Sequence, residues 1–140
     1  MIRILLIEDD NSRVKQIREW LPPDVRLVHA GSAGRALGIL PRDRDVYAGI
    51  MLDHDLQGQI ATDMDFFLSG TNVTKAIMAT ISPEIPILVH SMNPAEAPRM
   101  VLALRKAGFS VTRLPMSAMT QENLREWIEE VRECWADRNE

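Results

Sequence analysis

The residue types best suited to chemistry lie in two short acidic segments. Glu8, Asp9 and Asp10 follow an apolar run at residues 2–7, and the segment Asp53-His54-Asp55 follows a second apolar run at residues 46–52. Acidic groups that converge repel one another unless a cation lies between them. Oxygen ligands of this kind suit Mg²⁺, which takes one or two carboxylates and coordinates a phosphate. The two segments therefore predict a divalent-metal site, for Mg²⁺ or another cation such as Mn²⁺.

A sheet of parallel strands would bring the two segments together. Five short apolar runs are each followed by a stretch with helical spacing of apolar residues, which predicts an alternating β–α chain. The predicted strands are residues 2–7, 25–30, 46–52, 85–91 and 109–114. Right-handed crossovers favour a doubly wound, flavodoxin-like α/β fold with strand order 2-1-3-4-5 and helices on both faces.

The order of the strands predicts where a ligand binds. In doubly wound sheets, ligands lie outside the carboxyl ends of the strands where the order switches, here between strands 1 and 3. Both acidic segments follow these strands. We expect Asp10 or Asn11 to begin the first helix, Pro41 to end the second and Thr71 to begin the third, while Gly108 ends the fourth.

Composition limits the class of protein. The chain has 140 residues, with 16 basic and 20 acidic side chains and a formal net charge of −4, so we expect one domain over residues 1–140 and no bulk binding of DNA. No apolar run approaches the roughly 20 residues that span a bilayer. The one cysteine, Cys134, excludes an internal disulfide, and a cytoplasmic protein is the default expectation. A stripe on the last helix that includes Trp127, Val131 and Trp135 is predicted to be core, or a homodimer face if part of it is exposed.

Several segments resemble the receiver domains of response regulators. ILLIEDD followed by Arg13 resembles their opening, MLDHDL their third strand, and PILVHS their fourth strand. The resemblance implies a CheY-like receiver fold, with Glu8 and Asp9 as the metal-binding acidic pair and Asp53 as the phosphoacceptor. It also implies that Asp55 lends a backbone carbonyl to the metal and that Ser91 contacts a phosphoryl oxygen.

The fifth strand departs from that family. Receivers carry a lysine near its end, usually before a proline, that contacts the phosphoryl group. Here Leu114 precedes Pro115, and the three lysines of the chain, Lys15, Lys75 and Lys106, all lie in predicted helices. Arg113 is one position away and is a candidate phosphate ligand, although alternation along the strand can point it elsewhere.

Other motifs of the chain resemble those of a narrower family of receiver-like proteins. The chain resembles the cyclic-phosphate processing receiver family in four features. They are LDHDL, an insertion at about residues 57–69, Gly70-Thr71 at the start of the third helix, and HSMNP after strand 4. That resemblance implies an enzyme acting on cyclic phosphates of nucleotides or RNA ends. The insertion carries Asp63, Asp65, Phe66 and Phe67, which could form a lid or a base-stacking surface, or a small packing cluster.

The chemistry of such an enzyme can be assigned to residues. A metal on Asp9 and Asp53 could neutralise the phosphate and activate water, and His54 or His90 could protonate the leaving oxygen. Asn93 could hold a phosphate oxygen or position the water. Because His90 and Ser91 are adjacent on a strand, only one of them is expected to face the site, and His90 has the alternative of a buried, hydrogen-bonded core histidine.

Two functions are therefore predicted from the sequence. The first is a metal-dependent phosphohydrolase whose catalytic residues are Asp53, His54, His90 and Asn93, with a phosphate-containing small molecule or an RNA end as its partner. The second is a signalling module that accepts a phosphoryl group on Asp53 from a histidine kinase or a small phosphodonor, or that only binds partners as a degenerate receiver.

Overall fold

The sheet holds five parallel strands with helices on both faces. The computed structural model describes residues 1–56 and 69–139. Strands and helices alternate along them as β1 (Arg3–Ile7), α1 (Asn11–Trp20), β2 (Arg26–Ala30), α2 (Ala33–Arg42), β3 (Gly49–Leu52), α3 (Gly70–Thr80), β4 (Ile87–Val89), α4 (Glu96–Lys106), β5 (Val111–Arg113) and α5 (Gln121–Arg138). The strand order is β2-β1-β3-β4-β5, which confirms the predicted doubly wound fold.

The strands are shorter than the apolar runs that predicted them. Tyr47 and Ala48 precede β3, and Ile85 precedes β4, yet all three are buried. An apolar run reports burial, and burial continues into the loops that enter this sheet. The second helix also extends beyond its predicted end at Pro41, because a proline in the last turn removes one hydrogen bond and the Asp43 N–H still donates to the Ile39 carbonyl at 2.9 Å.

Alternation along the strands divides the core into two layers. Leu5 and Ile7 of β1 pack beneath α2, α3 and α4, whereas Ile4 and Leu6 pack beneath α1 and α5. Helix α5 lies very close to the sheet. A Cβ atom on Gly49 would come within 3.0 Å of the Trp127 and Val131 side chains, so this position of β3 suits glycine.

The register aligns the residues that follow the strands. Ile7, Leu52 and Val89 are paired across β1, β3 and β4, and Val89 is paired with Arg113 of β5. Backbone hydrogen bonds continue the ladder by one residue, from the Asp53, His90 and Leu114 N–H groups to the Ile7, Leu52 and Val89 carbonyls. One row across the carboxyl edge therefore contains Glu8, Asp53, His90 and Leu114.

One sequence expectation falls on the part of the chain that the structure does not describe. The predicted insertion, with Asp63, Asp65, Phe66 and Phe67, lies outside the described residues except for Ser69, which caps α3. None of the described helices is both long and apolar enough to span a membrane.

Candidate metal and phosphate site

Glu8 is a fully buried acid at the carboxyl end of β1. Its Oε2 accepts hydrogen bonds from the backbone N–H groups of Asp9 at 3.0 Å and Asp10 at 3.2 Å. Its Oε1 lies 3.1 Å from His90 Nε2. Burial raises the pKa of the Glu8 carboxyl to about 7, against the opposing effect of the Asp10 N–H, because the charged form loses water that these contacts only partly replace.

Asp53 occupies the equivalent position after β3. Its Oδ1 accepts the His54 backbone N–H at 2.8 Å, and the residue is 1% exposed. Its Oδ2 is buried with no hydrogen-bond partner among the described residues. Burial, followed by the negative charge of Glu8, raises the pKa of Asp53 to about 6. A buried carboxylate oxygen without a hydrogen-bond partner is costly, and a bound ion or water is one explanation for such an oxygen.

His90 combines the two alternatives that the sequence left open. It is a fully buried histidine, and it also contacts the acidic site through the Glu8 carboxyl. Burial lowers the pKa of His90 to about 4, so the ring is neutral at pH 7. When Glu8 is ionised, Nε2 carries the proton and donates to Oε1. His90 therefore fixes the orientation of one site carboxylate.

Arg13 completes this group and was not among the residues predicted to act. It lies in the first turn of α1, which Asp10 caps by accepting the Ser12 and Arg13 N–H groups. Its guanidinium Nη1 lies 3.6 Å from Glu8 Oε1 and 3.6 Å from Asp53 Oδ2. We call Glu8, Arg13, Asp53 and His90 the acid cluster. The sequence marked Arg13 as a basic residue one turn after the acidic segment and as part of the resemblance to receiver domains, but it assigned Arg13 no role.

The acid cluster fits a divalent cation. The ligand atoms of Glu8, Asp53 and His90 all lie within 4.8 Å of one another. Because His90 Nε2 donates to ionised Glu8, the carboxylate oxygens are the available ligands, and oxygen donors suit Mg²⁺ or Mn²⁺. Asp9, a predicted ligand, is half-buried beside this group, whereas the Asp55 side chain is exposed.

His54, Asp55 and Asn93 form a second group between β3, α3 and α4. His54 Nδ1 lies 2.9 Å from Asp55 Oδ1, and its Nε2 lies 3.2 Å from Thr71 Oγ1 and 3.8 Å from Glu96 Oε2. Asn93 Nδ2 donates to Asp55 Oδ1 at 3.3 Å. We call these five residues the His54 network. The His54 ring contacts Thr71 of α3 and Glu96 of α4, whereas its backbone N–H donates to Asp53.

The two predicted phosphate ligands differ in burial, since Ser91 is buried and Arg113 is exposed. Ser91 is fully buried, and its Oγ accepts the Asn93 backbone N–H at 3.1 Å. Arg113 is exposed and is paired with Val89, whose side chain packs in the layer beneath α2, α3 and α4. Leu114 ends the row that contains Asp53 and His90, and it packs in the opposite layer. The carboxyl end of β5 therefore presents an apolar side chain to that row.

Comparison with known proteins gives similarity of structure alone. No family model matches the sequence, and no curated protein matches it. A CheY-like response regulator receiver domain from Methanospirillum hungatei JF-1 superposes with a TM-score of 0.71 at 19% identity, covering 98% of each chain. The signal receiver domain of a LuxO repressor protein from Vibrio parahaemolyticus gives 0.69 at 16% identity, covering 98% of this chain and 95% of the other.

A third neighbour contains a metal. The receiver domain of the sensor histidine kinase PA1611 from Pseudomonas aeruginosa PAO1, with a magnesium ion coordinated in its active site cleft, superposes with a TM-score of 0.68 at 21% identity, over 92% of this chain and 95% of that one. These neighbours superpose over 92% to 98% of this chain with TM-scores of 0.68 to 0.71. The chain therefore has the flavodoxin-like fold of CheY-like receiver domains.

Proposed function

We propose that this chain is a receiver-type signalling domain that binds a divalent cation and accepts a phosphoryl group on Asp53. The observation that carries the proposal is the buried Asp53 Oδ2, which lacks a hydrogen-bond partner among the described residues and lies beside a second carboxyl. A histidine kinase or a small phosphodonor would be the source of the phosphoryl group.

The cation would be held by oxygens on β1 and β3. Glu8, Asp9 and Asp53 would supply carboxylates, and Asp55 a backbone carbonyl. Magnesium in the active site cleft of the Pseudomonas receiver supports Mg²⁺ as the ion. When bound, the cation neutralises charge on the phosphoryl oxygens.

Asp53 is prepared for nucleophilic attack. With a pKa of about 6, the carboxyl is mainly ionised at pH 7, and the His54 N–H holds Oδ1 so that Oδ2 is free to react. With acetyl phosphate as donor, an Oδ2–phosphorus bond forms, the bond from phosphorus to the acetyl oxygen breaks, and acetate leaves with its electron pair. The Ser91 hydroxyl is the proposed contact of a phosphoryl oxygen.

Phosphoryl labelling tests this function. The full chain is incubated with acetyl phosphate, with and without Mg²⁺, and the modified residue is mapped by mass spectrometry. We expect one phosphoryl group on Asp53, formed only with the cation. If Mg²⁺ binds and Asp53 stays unmodified with acetyl phosphate and with other small phosphodonors, the chain is a degenerate receiver that acts by binding partners.

Hydrolysis of cyclic phosphates is a second candidate. It is favoured by Glu8, because a buried carboxyl with a pKa of about 7 can protonate a leaving oxygen near neutral pH. In this alternative Asp53 binds metal, His54, His90 and Asn93 assist, and the substrate is a cyclic nucleotide or an RNA end. Assays with 2′,3′-cyclic nucleotides and Mg²⁺ or Mn²⁺ test it. Turnover that is lost in Asp53→Asn and His90→Ala supports it, and its absence contradicts it.

A further inference from the structure

A phosphoryl group on Asp53 would add charge to a site that is already acidic. A phosphorylated side chain carries a charge of about −1.5 to −2 and offers three strong acceptor oxygens. Glu8 lies in the same buried cluster, and its carboxyl accepts hydrogen bonds from backbone and His90 donors. A cationic side chain beside Asp53 would offset this added charge.

Among the described residues, neither β5 nor the residue after it places a cationic side chain beside Asp53. Leu114, which follows β5 and lies in the row of Asp53, is apolar and packs against the layer beneath α1 and α5. Arg113 is exposed, and its partner in the register, Val89, faces the opposite layer. The lysines Lys15, Lys75 and Lys106 are exposed on α1, α3 and α4.

Helix α1 supplies a cation instead. Arg13 Nη1 lies 3.6 Å from Asp53 Oδ2, the oxygen that lacks a hydrogen-bond partner, and the Arg13 side chain is 34% exposed. This distance is longer than a hydrogen bond, so the guanidinium is close to the oxygen without being locked to it. A guanidinium presents several N–H donors in a planar fork, which matches the oxygens of a phosphoryl group.

We propose that Arg13 is the side chain that binds the phosphoryl group on Asp53, a role moved from the end of β5 to the first turn of α1. The inference rests on the proposed function, since it needs a phosphoryl group at Asp53. In the unmodified protein Arg13 is shared between Glu8 and Asp53 at equal distances. On phosphorylation the guanidinium turns from Glu8 toward the new oxygens.

Phosphorylation of Asp53 is also expected to alter the first turn of α1. Arg13 belongs to the first turn of α1, where its backbone N–H donates to the Asp10 cap at 3.2 Å. A pull on its side chain therefore acts on this turn. The largest change in amide hydrogen exchange on phosphorylation is expected in residues 9–14, and a smaller change is expected around β5.

Binding of a phosphoryl mimic tests the role of Arg13. Beryllium trifluoride with Mg²⁺ is titrated into the full chain and into Arg13→Gln, Arg13→Lys and Arg18→Gln, and Mg²⁺ binding alone is measured in parallel. Arg18 is an exposed arginine on the same helix and serves as the matched control. Loss of charge-assisted hydrogen bonds predicts that Arg13→Gln weakens binding of the mimic by about tenfold to hundredfold. Mg²⁺ affinity should be equal or higher, because a competing cation is removed.

A second variant distinguishes phosphate binding from a general structural role. In Arg13→Gln, the further change Leu114→Lys places a cation at the end of β5, and it should restore binding of the mimic. Leu114→Lys alone controls for disturbed packing. The inference is overturned if Arg13→Gln binds the mimic as tightly as the unaltered chain, or if it weakens Mg²⁺ binding equally. If the unaltered chain binds Mg²⁺ but neither the mimic nor a phosphoryl group, the proposed function itself fails.

Discussion

The acid cluster and the His54 network lie side by side but differ in how their polar groups are satisfied. In the acid cluster, Asp53 Oδ2 and His90 Nδ1 are buried without a hydrogen-bond partner among the described residues. In the His54 network, both ring nitrogens of His54 have partners, and Asn93 Oδ1 accepts the Ala95 and Glu96 N–H groups. The acid cluster therefore has polar atoms that are available to a ligand, whereas the His54 network makes hydrogen bonds at the starts of α3 and α4.

The difference separates two residues that the sequence treats alike. His54 lies just after one predicted strand, His90 lies near the end of another predicted strand, and both were candidates to move a proton. His90 is buried against Glu8, whereas His54 is partly exposed and joins β3 to α3. A residue type near a predicted site does not define a role, because the role depends on which partners its atoms have.

Exchange of Asp53 for asparagine should produce the largest effect. Asp53→Asn removes the nucleophilic oxygen and one charge from the cation site, so phosphoryl labelling should be abolished and Mg²⁺ affinity reduced. His54→Gln is the matched variant in the His54 network and should keep most of the labelling. Intact-mass measurement after treatment with acetyl phosphate gives both results. Equal loss of labelling in the two folded variants would contradict the separation of the two groups.

Gly70→Ala should give the largest loss of stability. A Cβ atom at Gly70 would lie 2.4 Å from His54 Cα and 2.6 Å from the Asp53 carbonyl oxygen, and both are backbone atoms. Helix α3 must therefore move away from the end of β3, which should lower the free energy of unfolding by about 1–3 kcal/mol. Denaturant titration measures the loss.

Gly38→Ala is the control for Gly70→Ala. A Cβ atom at Gly38, within α2, meets no atom within 4 Å. Alanine is favoured over glycine in a helix by about 1 kcal/mol, so this variant should be as stable as the unaltered chain or more stable. A Gly70→Ala protein that unfolds at the same denaturant concentration as the unaltered chain would show that β3 and α3 can separate freely.

The pH dependence of stability should identify Glu8. Its pKa is about 7 in the folded chain against an ordinary value of 4.5, so the folded state binds the proton more tightly. The free energy of unfolding therefore falls as the pH rises from about 4.5 through 7. Between pH 6.5 and 8, linkage predicts a loss from Glu8 of roughly 1 kcal/mol.

Glu8→Gln should remove this pH-dependent loss. His90, whose pKa is lowered to about 4, destabilises the fold as the pH falls below its ordinary value of 6.5. That contribution is present in both proteins and largely cancels in their difference. Thermal unfolding at several pH values is the measurement. Parallel curves for the two proteins from pH 6.5 to 8 would show that the Glu8 carboxyl is not desolvated.

The sequence predicted the five-stranded sheet and the position of both acidic segments at its carboxyl edge, because apolar runs and the alternation of strands with helices are local patterns. It did not predict the contact between Glu8 and His90, which are 82 residues apart, since this contact depends on the register of β1, β3 and β4. Nor did it assign a role to Arg13, which it named only as part of the resemblance to receiver domains. Whether that side chain reaches Asp53 depends on how α1 is placed over β3, and the spacing of residues within α1 carries no information on that placement.

Removal of the Asn93 side chain should give the smallest effect. Asn93 Oδ1 accepts the Ala95 N–H at 3.0 Å and the Glu96 N–H at 2.9 Å, so it caps the start of α4. Asn93→Ala should lower the free energy of unfolding by about 1 kcal/mol, as loss of a cap does. Asp10→Ala removes the corresponding cap of α1 and should cost a similar amount. If Asn93→Ala abolished phosphoryl labelling while leaving denaturant stability unchanged, Asn93 would belong with the acid cluster as a group that acts on phosphate, because a cap contributes to stability and not to chemistry.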